Sequence, residues 1–270
     1  MRAVVATTVL MALVIGAPVH GQWQQFADES VPRTSTGEPD LTAPAPRTAG
    51  GKPDLAGVWM ADADLFMEGV EFVEGEVTLP RHLIDVMIDL EPGEVEMKPW
   101  AAELLQQRME SRGLIDPVAY CKPWSIMQHA TNLMPYKIVQ TPDLVVILYE
   151  QDTVFRQIFL DGRESVEDPV PRWFGHSTGR WDDDELVVET TGFTDLTWLD
   201  FSGHPHTESL HLTERFRRRD SGHLEIETTV DDPETYSRPF TYTMTATVTP
   251  DDDLLEFFCT DNEISSDHYQ

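Results

Sequence analysis

Apolar and polar residues alternate from Lys137 onward with the period of two that is typical of β-strands. Short β-branched or aromatic runs are joined by polar turns, among them Asp182-Asp183-Asp184 and Pro250-Asp251-Asp252-Asp253. This spacing favours an antiparallel meander, and a meander this long must close into a barrel or fold into a sandwich. The predicted strands span 144–150, 154–160, 172–181, 185–191, 210–218, 223–230, 241–249 and 254–259.

Two stretches before the strands have helical spacing. The first spans 81–90, and the second spans 99–111, with Pro99 suited to the first helical position and Gly113 to the stop. The second has an apolar stripe that we expect to pack on the body of the protein, formed by Trp100, Leu104, Leu105 and Met109. The predicted fold is mostly β: an antiparallel β-barrel or sandwich with one or two helices inserted near the N-terminus.

The first residues, 1–21, have the pattern of a signal peptide. Arg2 is followed by an apolar run, and small residues stand before Gln22. The run is shorter than the roughly 20 apolar residues that a membrane-spanning helix needs, so membrane insertion is not expected. The stretch 22–52 is rich in Pro, Thr, Gly and Ser and is predicted to be a flexible leader. A single domain over 53–270 and a periplasmic or secreted location follow.

The charge excludes one class of partner. Asp and Glu number 48 against 19 Lys and Arg, and the formal net charge is −29. Such a surface repels nucleic-acid phosphates and anionic lipid headgroups, so we expect neither nucleic-acid binding nor membrane association.

The two cysteines are Cys121 and Cys259. In an oxidising compartment an even count favours a disulfide, which here would tie the last predicted strand to the segment before the first long one. Two buried free thiols are the alternative. Neither cysteine has the spacing of a zinc ligand.

The folded part of the chain resembles a large family of secreted bacterial proteins. The resemblance rests on motifs spread over 53–270 that include Pro53-Asp54-Leu55-Ala56-Gly57-Val58-Trp59, Gln140-Thr141-Pro142, Asp161-Gly162-Arg163, Gly175-His176-Ser177-Thr178-Gly179-Arg180-Trp181, Pro205-His206-Thr207-Glu208 and Thr213-Glu214-Arg215-Phe216. The resemblance implies that the chain belongs to this family, and it implies little about the chemistry of the protein. Asp183 stands where the family has Gly, which implies a wider turn there.

The first of these motifs also resembles the start of lipocalin and calycin barrels. In those barrels the Trp of Gly-x-Trp, here Trp59, plugs the closed end, and an Arg from a late strand packs over it. The resemblance therefore implies a calycin-like barrel.

The densest polar cluster is the segment from His204 to His211, and it allows a metal site. Imidazole and carboxylate groups are ligands of zinc and other divalent ions, so His204, His206, Glu208 and His211 are candidates. Pro205 argues for a loop rather than a strand here. A loop whose polar side chains only satisfy backbone groups is the structural alternative.

The same segment also allows acid–base catalysis. His206 with Glu208 is a natural pair, since histidine titrates near neutral pH and a carboxylate orients the ring. Asp200 lies just upstream and His176 lies on another predicted strand, so we expect both to converge on the same barrel mouth. The chemistry that suits such a group is proton transfer.

Two further sets point to a ligand site. On strand 210–218 the alternation places Glu214 on the same face as apolar residues, so it needs a buried partner, for which Arg156 is the candidate. Between Trp173 and Trp181 small residues alternate, including Ser177, which leaves room either for a ligand or for the close approach of another element.

The predicted function is therefore that of an exported barrel enzyme using His and carboxylate acid–base chemistry on a small organic molecule, of the lyase, isomerase, cyclase or hydrolase type. A non-catalytic barrel that binds a small ligand is the first alternative, and a histidine-rich metal site is the second. No phosphate loop or dinucleotide fingerprint is present, and no cofactor is expected.

Overall fold

The computed structural model describes residues 28, 30–68, 76–165 and 169–261. The predicted signal peptide lies outside the described residues. The described strands are β1 Gly57–Ala61, β2 Leu65–Glu68, β3 Glu76–Leu79, β4 Tyr136–Gln140, β5 Leu144–Tyr149, β6 Val154–Phe159, β7 His176–Asp182, β8 Glu185–Thr191, β9 His211–Arg218, β10 His223–Asp231 and β11 Phe240–Val248. The described α-helices are α1 Arg81–Ile84, α2 Pro99–Glu110 and α3 Ile126–Thr131.

Nine of these strands form a closed barrel in the described part of the chain, in the order β1-β11-β10-β9-β8-β7-β6-β5-β4, with β1 pairing to β4 to complete the ring. All neighbours are antiparallel except β6 and β7, which run parallel. The prediction of a wholly antiparallel barrel is therefore wrong at this pair. Parallel neighbours cannot be joined by a tight hairpin turn, and residues 160–175 separate β6 from β7. β2 and β3 form a separate two-stranded sheet.

The helical and C-terminal predictions differ in detail from the structure. α1 ends at Ile84 rather than at residue 90. The predicted stripe of α2 packs only in part: Leu104 and Leu105 are half-buried, whereas Trp100 is 43% exposed and Met109 60% exposed. The last predicted strand, 254–259, does not form; that segment runs along the barrel and ends in a short 3-10 turn, Cys259–Asp261.

The β7–β8 turn stays tight despite the aspartate at the position where the resembled family has glycine. Asp182 pairs directly with Glu185, so the turn has only two residues between the strands. Asp183 takes the left-handed backbone conformation, with φ of 50°. Aspartate tolerates this region better than most residues, so no widening is needed.

The closed end of the barrel is built around Trp59. Its side chain is fully buried, and its indole N–H donates to the carbonyl of Leu55 at 3.0 Å. The guanidinium of Arg218, from the end of β9, lies 4.9 Å from the centre of the Trp59 ring. Arg218 also donates to the carbonyls of Asp54 at 2.6 Å and Ser221 at 2.5 Å, and so ties the start of β1 to the β9–β10 turn.

Two similar hairpins cover this end; the first lies within the stretch predicted as a leader, and the second overlaps the end of it. The segments 32–41 and 46–55 read PRTSTGEPDL and PRTAGGKPDL. In each, the arginine and the proline near the end form an isolated bridge, and the arginine side chain donates to the glycine carbonyl four residues on. Each arginine then pairs with an aspartate in a barrel turn, Arg33 with Asp251 and Arg47 with Asp184.

A second apolar cluster lies away from Trp59 and includes residues of α3, of the segment after α1 and of the loop before β9. Its members include Val86, Ile126, Phe193, Leu199 and Tyr236. The predicted disulfide is confirmed: Cys121 and Cys259 are bonded, and the tail before Cys259 is also fixed by a hydrogen bond from Thr153 Oγ1 to the carbonyl of Phe257. No helix in the described residues is long and apolar enough to cross a membrane.

Candidate functional site

A cleft opens into the barrel wall between β6 and β7. The two strands pair over only two positions, Ile158 with Ser177 and Phe159 with Thr178. The first four residues of β6, from Val154 to Gln157, therefore have no partner in β7, and the chain from Arg172 to His176 diverges from them. The gap that results has a volume of about 410 Å³, which is within the range of small-molecule sites.

The walls of this cleft are mainly aromatic and aliphatic. Its lining residues are Pro123, Thr153, Val154, Phe155, Arg156, Gln157, Phe159, Arg172, Trp173, Phe174, Gly175, His176 and Ser177. Among the described residues, this lining contains two arginines and a histidine but no carboxylate. In a chain with 48 acidic residues the cleft is therefore a locally non-acidic surface.

Arg156 and Ser177 form the inner end of the cleft, because both side chains are buried in the barrel. Arg156 donates from Nη1 to Glu214 Oε1 at 3.0 Å, a second contact joins Nη2 to Glu214 Oε2, and Nε donates to Ser177 Oγ at 3.1 Å. Burial alone would lower the pKa of Arg156, but the charge and hydrogen bonds of Glu214 outweigh it, so the pKa is raised. The Arg156–Glu214 partnership predicted from the alternation thus forms.

The small residues of β7 mainly permit close packing. A side chain at Gly179 would meet Leu160 at 2.8 Å, and one at Gly175 would meet the carbonyl of Thr191 at 2.6 Å. The neighbouring elements therefore approach closely at both glycines. Trp173, which precedes them, is half-buried in the cleft wall.

His176 lies in the cleft wall with one ring nitrogen engaged. Its Nε2 is 3.2 Å from the carbonyl oxygen of Val170, and a carbonyl can only accept, so Nε2 carries a proton. In the neutral ring Nδ1 is then an acceptor. His176 is thus the histidine among the predicted catalytic residues that lines the cleft.

His206 is held in a different place, in the loop before β9. Its Nδ1 donates to the carbonyl of Thr207 at 3.1 Å, and its Nε2 lies 2.7 Å from the hydroxyl of Thr197. Both ring nitrogens are engaged in the neutral state. Burial lowers the pKa of His206, with smaller opposing contributions from the Thr207 carbonyl and Asp232.

Asp200 organises the same loop. Its two carboxylate oxygens accept from the backbone N–H groups of Val86, Gly203 and His204 and from Nδ1 of His204 at 2.6 Å. Burial would lower the pKa of His204, but the hydrogen bond and charge of Asp200 outweigh it, so the pKa is raised. Asp200 is completely buried and fixes the segment just after α1 to this loop.

The remaining predicted ligands do not join this group. Glu208 is exposed, and its side chain makes no contact with His206 in the described residues. His211 points to the outer face of the barrel, where Nε2 lies 2.6 Å from Glu189 Oε2. The predicted set of His204, His206, Glu208 and His211 is therefore not brought together.

A different trio has the spacing of a metal site. Ligand atoms of Asp85, Asp200 and His204 lie within 4.8 Å of one another. However, both oxygens of Asp200 already accept N–H hydrogen bonds, and Nδ1 of His204 donates to one of them. A metal ion would have to replace these bonds, so the arrangement fits a structural hydrogen-bond network better.

A second, larger recess of about 780 Å³ lies at the closed end between the hairpins and the β7–β8 turn. Its charged residues pair with one another, as Arg47 does with Asp184 and Arg217 with Glu185. The cleft is therefore the better candidate site.

Four wall residues of the cleft were not singled out in the sequence: Phe155, Phe159, Arg172 and Phe174. The sequence feature that could have indicated them is an aromatic residue on the outward face of β6, followed by a long connection. Phe155 on that face is 59% exposed.

These features define a closed, mixed β-barrel with a lateral cleft. No protein-family profile matches the chain, and no curated protein or solved structure is significantly similar to it.

Proposed function

We propose that the protein binds a small, partly apolar organic molecule in the β6–β7 cleft. The observation that carries the proposal is the cleft itself: aromatic walls, a volume suited to one small molecule, and basic but no acidic side chains in its described lining. Such a lining suits an aromatic or alicyclic body that bears an anionic or strongly accepting group. The acidic outer surface makes non-specific anion binding elsewhere unfavourable.

The position of the basic residues indicates how such a ligand would lie. Arg156 is neutralised by Glu214 at the inner end, so it offers hydrogen bonds rather than net charge. Arg172 is exposed on the rim. A carboxylate is therefore expected at the rim, with the apolar body between Trp173 and Phe155.

The test uses 2-naphthoate as a probe and isothermal titration calorimetry on the full chain. We expect saturable binding at one site, which Trp173→Ala weakens by roughly fivefold or more because it removes an aromatic wall. Trp100→Ala is the matched control: Trp100 is an exposed tryptophan on α2 outside the cleft lining, and its loss should leave the affinity unchanged. Absence of saturable binding, or equal effects of both substitutions, would refute the proposal.

Acid–base catalysis on the bound molecule is the second candidate function. It is favoured by His176, whose engaged Nε2 leaves Nδ1 as a proton acceptor in the cleft wall. For a molecule that the protein converts, His176→Gln should lower turnover about 100-fold or more while 2-naphthoate still binds. Unchanged turnover in that variant would leave binding alone as the function.

We also propose that the protein is exported and that its barrel is calycin-like. The disulfide is compatible with an oxidising compartment. The position of Trp59 at the closed end beneath Arg218 supports the calycin relationship. N-terminal sequencing of protein recovered from periplasmic and medium fractions tests the first point, with Gln22 as the expected first residue.

A further inference from the structure

His129 is a buried histidine that the proposed function does not yet use. It lies in α3, its side chain is completely buried, and neither ring nitrogen has a hydrogen-bond partner among the described residues. An unpaired polar group in the interior costs about 1–3 kcal/mol, so its retention calls for a reason. Apolar burial lowers the pKa of His129 to about 3, so the ring is neutral at physiological pH.

Only one side chain layer separates His129 from the cleft. The ring of Phe174, which lines the cleft, has its centre 5.4 Å from that of His129. Tyr149 contacts the imidazole at 4.7 Å between ring centres. Trp124 and Asp152 also lie near His129. Their chain neighbours Pro123 and Thr153 line the cleft.

Asp152 faces the imidazole without a hydrogen bond to it. Its Oδ2 lies 3.6 Å from Nε2 of His129, just beyond hydrogen-bond range, and accepts from the backbone N–H of Trp124 at 3.2 Å. Its Oδ1 accepts from the side chain of Gln151 at 2.9 Å. A carboxylate at this position favours the tautomer with the proton on Nε2, which leaves Nδ1 as an acceptor.

The backbone is strained at this point. Asp152 and Thr153 are consecutive residues in the left-handed region, with φ of 63° and 50°. Aspartate tolerates this conformation, but it is unfavourable for a β-branched residue and costs of order 1–3 kcal/mol at Thr153. Strain of this kind is concentrated at functional sites, and here it holds Asp152 toward His129 and Thr153 toward the cleft.

From these observations we propose a deep subsite of the cleft, behind Phe174, in which His129 accepts a hydrogen bond from a neutral hydroxyl group of the ligand. This rests on the proposed function and deepens it: the ligand class becomes an apolar or aromatic molecule with a polar group at the rim and a hydroxyl, such as a phenol, at its inner end. Phe174 must turn aside to admit it, so the subsite opens on binding.

The experiment compares two probes that differ by one hydroxyl, 2-naphthoate and 6-hydroxy-2-naphthoate, by calorimetry with the full chain. In the unmodified protein the hydroxyl should improve the affinity by about tenfold, the effect of one hydrogen bond to a buried acceptor. In His129→Leu the improvement should vanish while 2-naphthoate still binds. Phe174→Ala should retain it.

His129→Met supplies a second variant in case the leucine variant does not fold. Its apolar side chain also removes the imidazole acceptor, so the hydroxyl preference should vanish there too. If neither probe binds, the proposed function fails. If both bind with equal affinity, or if the preference survives in a folded His129→Leu protein, only the deep subsite is refuted.

Discussion

Arg218 lies over Trp59 at the closed end of the barrel, with 4.9 Å between the guanidinium carbon and the ring centre. It joins the chain just before β1 to the turn between β9 and β10. Its donors reach the carbonyls of Asp54, Ala56, Asp220 and Ser221. Closure of this end therefore depends on one side chain that satisfies several backbone groups at once.

Replacement of Arg218 should accordingly destabilise the barrel. Arg218→Met leaves these buried carbonyls without a donor, and we expect the free energy of unfolding in urea to fall by about 3 kcal/mol. Arg217→Met is the matched control, because Arg217 faces outward and pairs with Glu185 on the surface; a change within about 1 kcal/mol is expected. Equal losses in both variants would contradict the assignment.

The Arg156–Glu214 pair makes a prediction about coupling. Both side chains are buried, so Glu214→Leu alone leaves an uncompensated charge and should cost about 3–5 kcal/mol of stability. The double variant Arg156→Met/Glu214→Leu should cost less than Glu214→Leu alone, since no buried charge remains. Chemical denaturation of the two single variants and the double variant measures this; strictly additive losses would show that the two groups do not interact.

His129 predicts sensitivity to acid. The unfolded chain binds a proton near the ordinary histidine pKa of 6.5, whereas burial lowers the pKa in the folded state to about 3. The unfolded state therefore binds more protons in this window, and stability is lost as the pH falls through it, by up to about 5 kcal/mol. His129→Leu should flatten the pH dependence of unfolding between pH 6.5 and 4, and parallel curves for the two proteins would refute the expectation.

Removal of the disulfide should lower the stability of the protein and loosen the tail at 254–261. Cys121 and Cys259 are 138 positions apart, and on the chain-entropy model closing so long a loop contributes about 4–5 kcal/mol. Cys121→Ser/Cys259→Ser should lower the thermal midpoint and increase hydrogen exchange in the tail at 254–261. The unmodified protein under reducing conditions provides the comparison.

Period-two patterning predicted most of the strands and the inward position of Glu214, because a side chain on a strand can face only one of two sides. It did not predict the parallel β6–β7 pair, since the residues at 161–171, between the two predicted strands, carry no strand or helix pattern that gives the path of the chain. The pairing of His206 with Glu208 assumed that residues two apart meet. In the loop before β9 they do not, and backbone and hydroxyl groups satisfy His206 instead.

His129 could not be recognised from the sequence for a related reason. α3 is a single short helix whose six residues have no periodic pattern long enough to identify a buried face. Only the folded chain shows that this histidine lies against Tyr149 and Phe174.

The paired hairpins at the closed end have a consequence for how this protein varies. Each is a self-contained unit that ends in a leucine directed at the barrel, Leu41 or Leu55, and each is attached through its own arginine to a different turn. Neither hairpin contributes a strand to the ring, so the gain or loss of one leaves the strand order unchanged. We therefore expect homologous chains to differ in this region by whole hairpins, and the one nearest β1, whose Leu55 is fully buried beside Trp59, to be the copy that is retained.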